Sequence, residues 1–130
     1  MERLLVVALG GAIGTVLRYA VTVGAIQALG TGFPYGTLVV NLIGAFIIGL
    51  VQALAADTTL VPESTRLFLT TGMLGGFTTY SAFSYETVRL IELHAWAQAS
   101  VYVLGTTFVC LLLCFLGLGV GRGLLFAIRG

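Results

Sequence analysis

The sequence predicts an all-α integral membrane protein of four transmembrane helices, with the third helix broken near its middle. Three observations lead there. Of the 130 residues, 58% are hydrophobic and only 8% are charged, against roughly 25% charged in soluble domains. The apolar residues fall into four runs with short polar connections, each near the ~20 residues that a bilayer requires. Inside the third run, Thr70 to Glu86 reads TTGMLGGFTTYSAFSYE, a stretch whose middle is glycine, hydroxyl groups and aromatic rings.

The spans are expected at about Leu4–Leu29, Thr37–Ala56, Arg66–Leu93 and Ala97–Phe126, which makes residues 1–130 a single four-span membrane domain. The N-terminal MERLLVVALGGAIGTVLRYA begins like a secretory signal. No small-residue cleavage site follows and Arg18 interrupts the apolar run, so it reads as a retained helix. Thr31–Gly36 is expected to turn, with aromatics suited to the interface, and Asp57–Ser64 is a second connection holding a proline and two acids. Trp96 is placed as a headgroup-level anchor, and His94 as a solvated loop residue.

In the first span, Gly10 and Gly14 form a GxxxG pair that lets another helix approach closely. Gly11, Thr15, Arg18 and Thr22 make one stripe. An arginine this deep costs from about 3 to over ~10 kcal/mol if it faces lipid. Arg18 is therefore expected to face a partner group or water, or to snorkel to the nearer interface.

In the second span, Thr37, Asn41 and Gly44 share a face, followed by Ala45 and Gly49. The Asn41 amide needs partners for two donors and an acceptor. It either ties two helices together or offers a neutral donor to an anion. In the third span, Gly75-Gly76 followed by Thr78 and Thr79 is where a helix can open and turn carbonyls inward, which lipid tolerates only if they are buried or line a polar cavity. With helix resumed beyond Thr79, Tyr80 and Phe83 stand on one face and Ser81 and Ser84 on a neighbouring one. A kinked helix with ordinary aromatic packing is the plainer alternative.

The fourth span carries Tyr102, Thr106, Cys110 and Cys114 along one stripe, then Gly117, Gly119, Gly121 and Gly123. Cys110 and Cys114 read as small packing residues, with neither metal-ligand spacing nor a disulfide framework. Four short helices are few to enclose an aqueous path, so the glycine faces point to an oligomer.

Charge narrows the function. The six cations are all arginine and the formal net charge is +1, which gives no basis for nucleic-acid binding or a polybasic lipid patch. No nucleophile and base stand together, so an enzyme is not expected. Three classes remain. Neutral donors and aromatic edges in place of a charge ring favour a channel for a small anion. A small multidrug-type proton-coupled transporter needs a mid-membrane carboxylate, and only Glu86 is available, toward the end of its span. A non-transporting structural subunit would leave the hydroxyl stripe without a purpose.

GGAIGTVLRY, GTLVVNLIGAFIIG and GGFTTYSAFSYE, in that order in a four-span chain, resemble the Fluc-type (CrcB) fluoride channels over essentially the whole length. The resemblance implies a passive fluoride channel of prokaryotic cell membranes, built as an antiparallel dual-topology homodimer with two pores, that keeps cytoplasmic fluoride low. It implies a structural sodium ion on the two-fold axis, held by the backbone carbonyls of Gly75 and Thr78. Tyr80 and Phe83 match the pore phenylalanines, Asn41 the pore asparagine, and Arg18 the arginine near the vestibule. Ser81, Tyr102 and Thr106 resemble the hydroxyl-lined track. One stretch departs: where the family usually reads TFSTF, this chain has Thr79-Tyr80-Ser81-Ala82-Phe83.

With the N-terminus, second connection and C-terminus on one side, Arg3, Arg66, Arg122 and Arg129 lie there and Arg89 lies opposite. Positive-inside counting then mildly favours a cytoplasmic N-terminus. Dual topology is implied by the resemblance alone.

Overall fold

The computed structural model describes residues 1–57 and 59–130; Thr58, in the expected Asp57–Ser64 connection, lies outside the described residues. Helix α1 spans Glu2–Leu29, α2 Tyr35–Leu54 and α6 Trp96–Arg129. These 3 helices are long and apolar enough to cross a membrane. Between α2 and α6 the chain is helical in pieces: α3 (Glu63–Leu67), a π-helical stretch (Phe68–Leu74), α4 (Gly75–Phe77) and α5 (Tyr80–Glu92).

Large apolar side chains face outward along the long helices, among them Leu9 and Val16 on α1 and Phe108 and Phe115 on α6. A water-soluble monomer rarely exposes so continuous an apolar surface; a lipid-facing one does. The buried centre is small: Leu90, Ala99 and Tyr102, with Phe33, Leu38, Phe83 and Ala95 packed against it.

Glycine lets these helices meet. A side chain at Gly10 would press on the Phe68 carbonyl at 2.6 Å, and one at Gly14 would collide with the Met73 carbonyl. The GxxxG pair of α1 thus packs on the π-helical stretch of the same chain. Gly49 sits against the Cys114 carbonyl, Gly117 against that of Phe46, and Gly121 against Ala53, joining α2 to α6. This corrects one expectation: most of the small faces close the monomer on itself, and so do not by themselves call for an oligomer. Gly24, Gly105, Gly119 and Gly123 face open space.

The third run differs in detail from its expected course. Gly75 and Gly76 keep helical backbone, and the chain opens two residues later. Thr78 (φ −87°, ψ 159°) and Thr79 (φ −153°, ψ 118°) are extended. The reason is packing. A side chain at Gly76 would lie 2.5 Å from the Gly11 carbonyl and 2.9 Å from the Thr15 hydroxyl, so Gly76 serves contact with α1, while Gly75 is exposed and makes no such contact. The helical run begins at Glu63, before the expected Arg66, and α5 ends at Glu92. There the chain turns through a Schellman motif, with Ala95 N–H on the Leu90 carbonyl, His94 N–H on that of Ile91, and His94 at φ 58° in the place glycine usually takes.

Candidate functional site

The two extended threonines are where the polar groups of the chain converge. A helix that stops leaves carbonyls and N–H groups without partners, and in an apolar surrounding each is costly. Here side chains from two other helices take several of them. Asn41 on α2 donates Nδ2–H to the Thr79 carbonyl (3.1 Å) and accepts the Thr79 N–H at Oδ1 (2.9 Å). Arg18 on α1 donates Nε–H to the Gly76 carbonyl (2.9 Å). The Thr79 hydroxyl caps α5 by accepting the Ala82 N–H (3.1 Å) and lies 3.2 Å from the Ser81 hydroxyl. Thr78 returns its own hydroxyl to the Leu74 carbonyl (2.9 Å), and its methyl fills the space that Gly44 leaves open.

Beside the break, Asn41, Tyr80, Phe83 and Thr106 line one cleft of about 370 Å³, together with Thr78, Thr79, Thr107 and Cys110. The Tyr80 and Phe83 rings meet edge to face, centroids 5.7 Å apart, with Tyr80 79% exposed. Phe83 in turn touches Tyr102 (5.0 Å), and Tyr102 meets the edge of Phe33 (5.4 Å). Tyr102 is only 1% exposed, and its hydroxyl donates to Glu86 Oε1 at 3.2 Å. Glu86 lines a second cleft with Arg89, Thr22 and the Gly30–Thr37 turn. The row of rings therefore runs from one cleft toward the other.

Thr106 is 8% exposed and its hydroxyl has no hydrogen-bond partner among the described residues. A buried unpartnered hydroxyl is uncommon in a folded protein and calls for a ligand, an ion or water. It sits on the wall of the first cleft, in the same lining as Asn41 and Phe83.

Of the residues singled out by sequence, Asn41, Tyr80, Phe83 and Thr106 come together in that cleft, and Tyr102 joins them through the Phe83 ring. Ser81 is exposed and reaches the site through Thr79. Arg18 and Gly75 are not in the cleft lining; Arg18 is joined to the break through Gly76. Sequence reasoning passed over Phe33 and the pairing of Glu86 with Tyr102. The Glu86 pairing was within reach, because Glu86 stands three residues after Phe83 and shares its face.

The break also has oxygens to offer a cation. The N–H that a continuing helix would bring to the Gly75 carbonyl, that of Thr79, goes to Asn41 instead. Among the described residues no hydrogen bond reaches the Thr78 carbonyl. Such neutral, hard oxygens suit an alkali cation better than a transition metal. No group of three or more His, Cys, Asp or Glu among the described residues offers a different kind of metal site.

The family described as "CrcB-like protein, Camphor Resistance (CrcB)" matches residues 5–118. The chain belongs to the CrcB family. Curated relatives agree over nearly the full length. A protein of Sorangium cellulosum (strain So ce56) is 48% identical over 125 residues, covering 96% of this chain and 98% of its own. One of Geobacter metallireducens is 46% identical over 124 residues, covering 95% and 100%, and one of Thermus thermophilus is 48% identical over 124 residues, covering 95% and 97%. Each of these CrcB relatives is named a fluoride-specific ion channel, FluC.

Proposed function

We propose that this CrcB protein is a fluoride-selective passive ion channel that lets fluoride leave the cytoplasm and so confers fluoride resistance. Relatives at 46–48% identity over almost the whole chain carry the name of fluoride-specific channels and not of enzymes. The site's chemistry agrees: Asn41, Tyr80, Phe83 and Thr106 line one cleft with neutral donors and ring edges and without a carboxylate. The single observation that carries the reading is the buried, unpartnered Thr106 hydroxyl in that wall. A small anion accepts hydrogen bonds from such groups and from the positive edges of aromatic rings. Glu86 is bound to Tyr102 at the far side of Phe83, away from the cleft lining, which disfavours a proton-coupled transporter.

Within this reading fluoride passes Ser81, Tyr80, Phe83 and Asn41 and continues along Thr106 and Tyr102, with Arg18 near the entrance. Each group that lines the path contributes a donor or a ring edge, so several partial bonds together replace the ion's hydration. A path built of neutral groups binds weakly enough to release the ion again.

The helical pieces from Glu63 to Glu92 form the remaining, broken span of a single four-span unit, and two such units pair antiparallel as a dual-topology homodimer in a prokaryotic cell membrane. Supporting this is the apolar surface left on the monomer, together with the exposed position of Gly75. Gly75 and Thr78 of both subunits would hold a structural sodium ion, which supplies positive charge to carbonyls that have lost their helical partners. Fluoride efflux from liposomes that contain only the purified chain tests the function directly.

A further inference from the structure

We infer that Arg18 is a positioning residue of the pathway, acting through the Gly76 carbonyl and not by lining the route with its charge. This rests on the channel reading given above. In an unbroken helix the Gly76 carbonyl would accept the N–H of Tyr80. With Thr78 and Thr79 extended, that N–H starts a new helix and the Gly76 carbonyl is left at the negative end of α4. Arg18 Nε reaches it at 2.9 Å from α1, 58 residues away in sequence.

Three features fit a positioning role. Among the described residues this is the only hydrogen bond of the Arg18 side chain, which makes no salt bridge. It engages the same break as the Asn41 clamp, so α1 holds one part of that backbone and α2 another. The glycine contacts set α1 against the same backbone: Gly76 lies on Gly11 and Thr15, the latter within one turn of Arg18. Arg18 is absent from the lining of the cleft that holds Asn41, Phe83 and Thr106, and from that of the Glu86 cleft. The consequence is geometric. With Gly76 held, Thr78 and Thr79 are presented to the cleft in one conformation; without it, that backbone has a reason to re-form helix and carry Tyr80 and Phe83 around with it.

Bond counting makes this testable. The Nε2 amide of glutamine stands the same number of bonds from Cα as Nε of arginine, so Arg18→Gln keeps a donor at the required place and removes the charge. Lysine keeps the charge but puts a methylene at that place. Reconstituted Arg18→Gln is expected to keep fluoride flux within about threefold of the parent, and Arg18→Lys to lose about tenfold or more, with both still dimeric on size exclusion. The reverse order, Lys conducting and Gln silent, means that the charge lines the route and overturns the proposal. Equal flux in Gln, Lys and Arg18→Met overturns it as well. If Met does not assemble, the Gln and Lys pair decides alone. If the parent protein passes no fluoride, the channel reading has failed, and the positioning role is then read from hydrogen exchange at Thr78 and Thr79, which should quicken in Lys and not in Gln.

Discussion

Asn41 binds Thr79 at both its backbone groups, N–H at 2.9 Å and C=O at 3.1 Å, as a neighbouring strand would. One amide side chain thereby stands in for a sheet partner inside a helical protein. It leaves the second Nδ2 proton of Asn41 for the cleft that it lines.

That clamp gives the first prediction. Asn41→Asp keeps the acceptor for the Thr79 N–H but loses the donor and sets an acceptor against the Thr79 carbonyl. Asn41→Leu loses both. Each strands backbone groups at about 1–3 kcal/mol apiece, and both are expected to reduce fluoride flux by about tenfold or more and to lower the thermal midpoint in detergent. Unchanged flux and midpoint in Asn41→Leu would show that the clamp is dispensable.

Thr106 gives a prediction of opposite signs. Its buried hydroxyl lacks a partner, so Thr106→Val removes a desolvated polar group from a site of the same shape. Stability is expected to stay level or rise by up to ~1 kcal/mol, while fluoride flux falls. A fall in stability with flux unchanged would make this hydroxyl a structural one.

The rings at Tyr80 and Phe83 separate bulk from charge distribution. Phe83→Ile keeps an apolar side chain but removes the positive edge, and flux is expected to drop by about tenfold or more with the dimer still formed. Tyr80→Phe deletes only a hydroxyl at a largely exposed ring, so flux is expected to stay level or rise. If both variants conduct like the parent in liposomes, these rings are ordinary packing.

The fourth prediction concerns acid. The Asp57 carboxylate accepts from the Thr59 hydroxyl and N–H and from Arg129 at 2.9 Å, joining the end of α2 to the end of α6. Thr59 first, and Arg129 after it, hold this carboxyl at about 2, below its ordinary value of 3.8. Because the folded value is the lower one, the contribution is fully present above about pH 4 and is lost as pH falls toward about 2. The parent is therefore expected to lose stability across that window more steeply than Asp57→Asn, measured by thermal midpoint against pH. Identical profiles would mean that the Asp57 charge, held by Thr59 and Arg129, adds nothing to stability.

How much of this was legible in the sequence differs from residue to residue. Periodicity and composition placed the long helices within a few residues, because lipid admits little else for so apolar a chain. The gathering of Asn41, Tyr80, Phe83 and Thr106 was implied by the resemblance, and helical spacing gave only the shared face of Tyr80 and Phe83. The site of the break followed in part: Thr78 and Thr79 are extended and helix resumes at Tyr80, as the residues implied, but the glycine pair does not open. Gly75-Gly76 is the strongest local breaker in the stretch, yet Gly76 packs on Gly11 and Thr15 and the pair keeps helical backbone, so of the expected opening only Thr78 and Thr79 are extended. The π-helical stretch and the ring of Phe33 were likewise invisible, since both depend on which helix lies opposite.

The most direct test is ion release from liposomes that contain only this chain, loaded with fluoride or with chloride and clamped by a potassium ionophore. Rapid fluoride release that needs charge compensation, with chloride held back, is the expected result. Equal release of the two ions would contradict a fluoride channel, and flux that requires a proton gradient and vanishes in Glu86→Gln would point to a coupled transporter instead.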